Sequence, residues 1–121
     1  MTPGTVLIAD DSSAIREIVK LTLQFKKYDV LEAKDGAEAY EILSTTPCDL
    51  LITDLDMPGM SGLELLDKTR KDLKNESLPV VVCTAESSVK DKDIVSRGAN
   101  AVLRKPISPM QLLELVGRLV K

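Results

Sequence analysis

Five short apolar runs, each followed by a stretch with helical spacing, constrain this chain more than any other feature. The runs cover residues 5–9, 30–33, 50–53, 79–83 and 101–103. They are rich in Val, Leu and Ile and mostly do not alternate polar with apolar, the pattern of parallel strands covered on both faces. The stretch after the first run places Ile15, Ile18, Val19 and Leu23 at three-to-four spacing, with Leu21 and Phe25 widening the apolar stripe and residues 11–13 offering a cap. Asp35 with Glu38, and Ser61 with Glu64, give capping-box patterns before the second and third helices. Ser108 followed by Pro109 opens the fifth, which carries Leu112, Leu113, Leu115, Val116 and Leu119. The fourth is expected over 88–97, stopped by Gly98. It holds few apolar residues (Val89, Ile94 and Val95), so it should be the least firmly packed. Five βα units in a row define an α/β fold, an open parallel sheet with helices on both faces.

Length and charge narrow the function. At 121 residues with 44% apolar content, the chain fits a single domain, 1–121. Phe25, Tyr28 and Tyr40 are the aromatics, so aliphatic side chains must build the core. A net charge of −3 without a basic stripe argues against nucleic acid as a direct partner. No apolar run approaches the roughly 20 residues of a membrane span, so membrane insertion is not expected. Met1-Thr2-Pro3-Gly4 lacks the form of a signal peptide. Cys48 and Cys83 stand in no metal or redox spacing and read as apolar fillers, which suits a cytoplasmic location. Histidine is absent, which excludes His-based acid–base catalysis, His-dependent triads and His metal sites.

In open parallel sheets, ligands bind beyond the carboxyl ends of the strands. Asp10 and Asp11 follow the first strand, and Asp54 with Leu55-Asp56-Met57-Pro58-Gly59 follows the third. Thr84 follows the fourth and Lys105-Pro106 the fifth. Carboxylates this close raise one another's pKa unless a cation neutralises them. Hard oxygen ligands without His or Cys select Mg²⁺, for which Mn²⁺ can substitute. An anionic nucleophile beside a divalent cation, a lysine and a hydroxyl suits phosphoryl transfer, where catalysis is mostly positioning and charge neutralisation.

Asp10-Asp11, Asp54 with Met57-Pro58-Gly59, Thr84-Ala85 and Lys105-Pro106, in this order at successive strand ends, resemble the receiver domain of two-component response regulators, of the chemotaxis-receiver kind. The resemblance implies a flavodoxin-like, doubly wound (βα)5 fold with strand order 2-1-3-4-5. It implies a phosphoacceptor signalling domain rather than a turnover enzyme. Asp54 would take the phosphoryl group from a phosphohistidine on a sensor histidine kinase or phosphotransfer protein. Asp11 and Asp54 would ligate Mg²⁺ directly with the backbone carbonyl of Asp56, and Asp10 would act through water. Thr84 and Lys105 would each engage a phosphoryl oxygen, with a cis bond before Pro106 aiming Lys105 inward. Phosphorylation would switch a surface around the fourth helix, fifth strand and fifth helix, read by a downstream effector.

Rival readings exist for the single residues. Asp10-Asp11-Ser12-Ser13 and Thr84 could serve as helix caps, and Lys105 as a solvated strand-end charge. Asp56 and Glu86 are either solvated acids or tuners of the phosphoryl group's lifetime. Val102 stands where receivers commonly carry Tyr or Phe, which puts an aromatic rotamer switch in doubt. The chain is either a stand-alone receiver or one excised from a larger transcription factor or hybrid kinase. Asp54-Leu55-Asp56 also resembles the nucleophile motif of haloacid-dehalogenase-type phosphatases. In that family, however, the motif comes first in the chain and the acidic pair last.

Overall fold

The structure is a computed structural model that describes residues 3–120. One parallel sheet, in the order β2-β1-β3-β4-β5, is built from β1 (Thr5–Ala9), β2 (Asp29–Ala33), β3 (Leu50–Thr53), β4 (Val80–Thr84) and β5 (Ala101–Arg104). The helices are α1 (Ser13–Phe25), α2 (Gly36–Thr45), α3 (Gly62–Lys71), α4 (Asp91–Ser96) and α5 (Pro109–Leu119). The expected flavodoxin-like order is therefore found. In register, Ile8 of β1 lies beside Glu32 and Ile52, and Thr53 of β3 beside Val82. This alignment brings the carboxyl ends of β1, β3 and β4 level with one another.

Because strand side chains alternate between faces, each central strand feeds two separate cores. Val6, Ile8, Leu50, Ile52, Val81 and Cys83 pack with Val19 and Leu23 of α1 and Leu112, Leu115 and Val116 of α5. Leu7, Ala9, Leu51, Val80 and Val82 pack with Ala39, Leu65, Leu66 and Ile94 of α2, α3 and α4. Burial pushes the Cys83 thiol up to about 12, the pull of Lys105 being outweighed and Asp10 and Asp54 adding to the rise, so this residue is an apolar filler. Ser12, Asp35, Ser61 and Ser108 cap α1, α2, α3 and α5, each accepting from the backbone N–H three residues on. Among the described residues, no helix is long and apolar enough to cross a membrane.

Three expectations shift. Strand β4 starts one residue late and ends on Thr84, because Pro79 has no N–H for the ladder and contributes only its carbonyl, to Leu51 N–H at 3.0 Å. Helix α1 buries Val19 and Leu23, with Ile15 partly covered. Ile18, Leu21 and Phe25, expected in the buried stripe, are 48, 57 and 77% exposed, since a second stripe runs alongside the one facing the sheet. Helix α4 spans only Asp91–Ser96 rather than 88–97, and its first residue follows Lys90, which makes no side-chain capping bond.

Candidate functional site

The polar ends of the strands meet at one edge of the sheet. Past β1 the ladder runs on for one more bond, Asp10 N–H to Ala33 O at 3.1 Å, and past β3 likewise, Asp54 N–H to Ala9 O at 2.9 Å. Both carboxylates are thereby carried in on rigid backbone and buried. Lys105, beyond β5, reaches back to them: its Nζ donates to Asp10 Oδ2 at 2.9 Å and to Asp54 Oδ2 at 3.1 Å. The peptide bond from Lys105 to Pro106 is cis, as the resemblance implies. The second oxygen of Asp10 accepts from Ser12 N–H at 2.9 Å, and the second oxygen of Asp54 from Asp56 N–H at 3.4 Å. Asp11 is exposed at the mouth.

Burial alone would lower the pKa of Lys105, but its hydrogen bonds to Asp10 and Asp54 and their charges outweigh that effect and hold it above the ordinary lysine value. The ammonium is thus a fixed cation between two buried anions, a geometry that leaves neither carboxylate unpaired. Asp10, Asp11 and Asp54 each place one carboxylate oxygen within 4.8 Å of the others'. With Lys105 included, the group still lies two formal charges short of neutrality. A set of hard oxygen donors with that deficit fits a divalent cation of the Mg²⁺ type. The open cleft above is lined by Asp11, Asp54, Asp56, Thr84, Ala85, Glu86, Ser87 and Lys105.

The backbone around Asp54 is tightly fixed. Its carbonyl accepts from the Thr53 hydroxyl at 2.9 Å, and Gly62, the first residue of α3, lies so close that a Cβ there would stand 2.0 Å from that oxygen. Gly59, at φ +76°, turns the intervening loop through the left-handed region that Gly tolerates. Thr84 is fully buried and its Oγ1 accepts from Glu86 N–H at 2.9 Å. It does not cap α4, which starts seven residues later. Lys105 is likewise no solvated strand-end charge.

All six residues singled out from the sequence (Asp10, Asp11, Asp54, Asp56, Thr84 and Lys105) come together at this edge, with Asp10 held by Lys105 rather than lining the cleft. Sequence reasoning missed Ser87 in the cleft wall and Arg16, whose guanidinium donates to the Asp10 carbonyl at 2.7 Å and to Glu32 at 3.2 Å. The spacing of Arg16 one helical turn beyond Ser12 was the available signal. Val102 is partly buried against the α2–α3–α4 core.

An acidic cleft with a lysine clamp, at the carboxyl edge of a doubly wound sheet, defines the class. The family model described as response regulator receiver domain matches residues 6–117, and the chain belongs to that family, the receiver domains of two-component systems. A chemotaxis protein CheY homolog of Campylobacter jejuni is 39% identical over 112 residues, covering 90% of this chain and 86% of the relative. The structure of a putative response regulator from Chloroflexus aurantiacus superposes with a TM-score of 0.91 at 31% identity, covering 98% of each chain. TrrA of Thermotoga maritima, solved in complex with Mg²⁺ and BeF, gives a TM-score of 0.87 at 34% identity, covering 98% of this chain and 99% of that one.

Proposed function

We propose that this chain is a single receiver domain over 1–121 that accepts a phosphoryl group on Asp54 from a phosphohistidine of a sensor histidine kinase or phosphotransfer protein, in the cytoplasm. The observation that carries the reading is the convergence of Asp10, Asp11 and Asp54 with Lys105 at the carboxyl edge of the sheet. Asp54 is the nucleophile because its buried carboxylate lines the cleft while its backbone is pinned. Its oxygen forms the new bond to phosphorus as the phosphorus–nitrogen bond of the donor breaks, and the imidazole leaves with the electron pair and takes up a proton. Asp11, Asp54 and the Asp56 carbonyl would hold Mg²⁺, with Asp10 acting through water. When bound, the ion supplies neutralisation of charge on the transferred group.

The chain's own residues do the rest. Lys105 exchanges a carboxylate contact for a phosphoryl oxygen, and the Thr84 hydroxyl donates to another. Both add charge stabilisation only once the group has arrived. The complex of the similar TrrA with Mg²⁺ and BeF, a phosphoryl mimic, supports the same chemistry here. Mg²⁺ and a small donor such as acetyl phosphate should add one phosphoryl group per chain, read by intact mass, and Asp54→Asn should abolish it. Equal labelling of the variant would refute the assignment, and many turnovers per chain on p-nitrophenyl phosphate would favour a phosphatase.

A further inference from the structure

Glu86 is held at both polar atoms of its backbone. Its N–H donates to Thr84 Oγ1 at 2.9 Å, and its carbonyl accepts from the guanidinium of Arg104. The same guanidinium donates to the Val89 carbonyl at 2.9 Å, and its Nε to Asp91 Oδ1 at 3.0 Å. One side chain therefore grips three points of the 86–91 segment, from the wall of the cleft to the first residue of α4. Apart from Val89, which packs partly buried against the core, the segment has few other ties: α4 has no side-chain cap, and the loop's own bond runs from Ser88 N–H to the Glu86 carboxylate at 3.0 Å. Arg104 and Lys105 are adjacent, and the backbone of Lys105 continues the ladder to the Thr84 carbonyl at 3.0 Å. The end of β5 thus sends one cation to the carboxylates and the other onto the loop.

On the phosphoacceptor reading, a Thr84 hydroxyl drawn toward a phosphoryl group on Asp54 would leave Glu86 N–H, which it now accepts from at 2.9 Å. The loop must then yield, because a freed N–H needs a new partner and the Glu86 peptide is tied on its other side. We propose that Arg104 is a positioning residue that sets how readily Thr84 engages the phosphorylated site, acting through Glu86 as a latch on the loop before α4. The proposal rests on the phosphoacceptor reading of Asp54. It also gives the domain a conformational control that needs nothing from Val102, whose branched side chain is restricted at χ1 and packs partly buried against the core.

The test is a titration of the full chain with beryllofluoride in saturating Mg²⁺, followed by backbone amide resonances, in wild type, Arg104→Gln and Asp91→Asn. Freeing the latch should lower the beryllofluoride midpoint roughly three- to tenfold in Arg104→Gln, the scale of one or two hydrogen bonds released. Asp91→Asn, an exposed change that keeps both carbonyl contacts, should lower it less. The affinity for Mg²⁺ alone should stay the same in both. Tighter binding of the mimic cannot come from general loosening of the fold, which would weaken both ligands. An unchanged or raised midpoint in folded Arg104→Gln overturns the latch. Should that variant not fold, an unchanged or raised midpoint in Asp91→Asn overturns it. Failure of the wild type itself to respond overturns the phosphoacceptor reading and the latch with it.

Discussion

Adding one methyl group at Gly62 should destabilise the fold and displace the backbone that carries Asp54. A Cβ there would lie 2.0 Å from the Asp54 carbonyl oxygen and 2.9 Å from the Asp54 carbonyl carbon and the Leu55 Cα, all backbone atoms. Real Cβ contacts essentially never fall under 3.0 Å, so something must retreat by about 1 Å. Neither side is free to do so. The Asp54 carbonyl is bonded to the Thr53 hydroxyl at 2.9 Å, Asp54 N–H to Ala9 O at 2.9 Å, and Gly62 N–H to Leu55 O at 2.9 Å. Overpacking commonly costs about 1–3 kcal/mol, and a clash of backbone on backbone belongs at the top of that range or above it. For a domain of this size, about 3 kcal/mol lowers the melting temperature by roughly 10 °C. Gly117→Ala is the control. Nothing lies within 4 Å of its Cβ position on α5, so it should stabilise the protein by about 0.5–1 kcal/mol. Urea midpoints of the two variants should therefore move in opposite directions. A Gly62→Ala protein that unfolds within about 0.5 kcal/mol of wild type would refute the claim that α3 is pressed against the Asp54 backbone.

Calorimetry with Mg²⁺ should separate the two leading acids, with Asp11→Asn losing more affinity than Asp10→Asn; equal losses would show the roles misassigned. Lys105→Ala and Thr84→Ala should still bind Mg²⁺ but take phosphate from acetyl phosphate more slowly, by intact-mass time course. The lysine also has a pH signature. Its folded pKa lies above the unfolded value, so its stabilising contribution is complete below the unfolded value and is lost as pH rises through the folded one. The stability gap between wild type and Lys105→Ala should hold steady near neutrality and close above about pH 10 in urea titrations. A gap that closes near neutrality would sink the ion-pair account.

Most of the sheet and nearly all of the site could be read from the residues. Parallel strands buried on both faces leave unbroken apolar runs, and the polar residue that ends each run must then sit at the sheet edge. Asp10, Asp54 and Thr84 were therefore placed by the same signal that placed the strands, and Lys105 follows one residue beyond the polar end of the fifth run. What failed to show were features with no local imprint. Ile15, Val19 and Leu23 face the sheet while Ile18, Leu21 and Phe25 face outward, and both sets have helical spacing; only packing decides between them. The late start of α4 was likewise hidden, because the Val89 carbonyl accepts from Arg104, a residue 15 positions away. The closeness of Gly62 to Asp54 was equally invisible, since glycine after a serine cap is unremarkable as sequence.

Lys105 lies 95 positions from Asp10 and 51 from Asp54. The two acids sit on neighbouring inner strands, whereas the lysine arrives with the last strand added to the edge of the sheet. A ribosome making this chain thus delivers the anions early and their counter-cation late, and closure over so many residues carries a large loop entropy. Until β5 docks, the two acids lack this counter-charge, a cost that weighs against half-assembled forms. Complete pairing of the two carboxylates therefore belongs only to fully folded molecules.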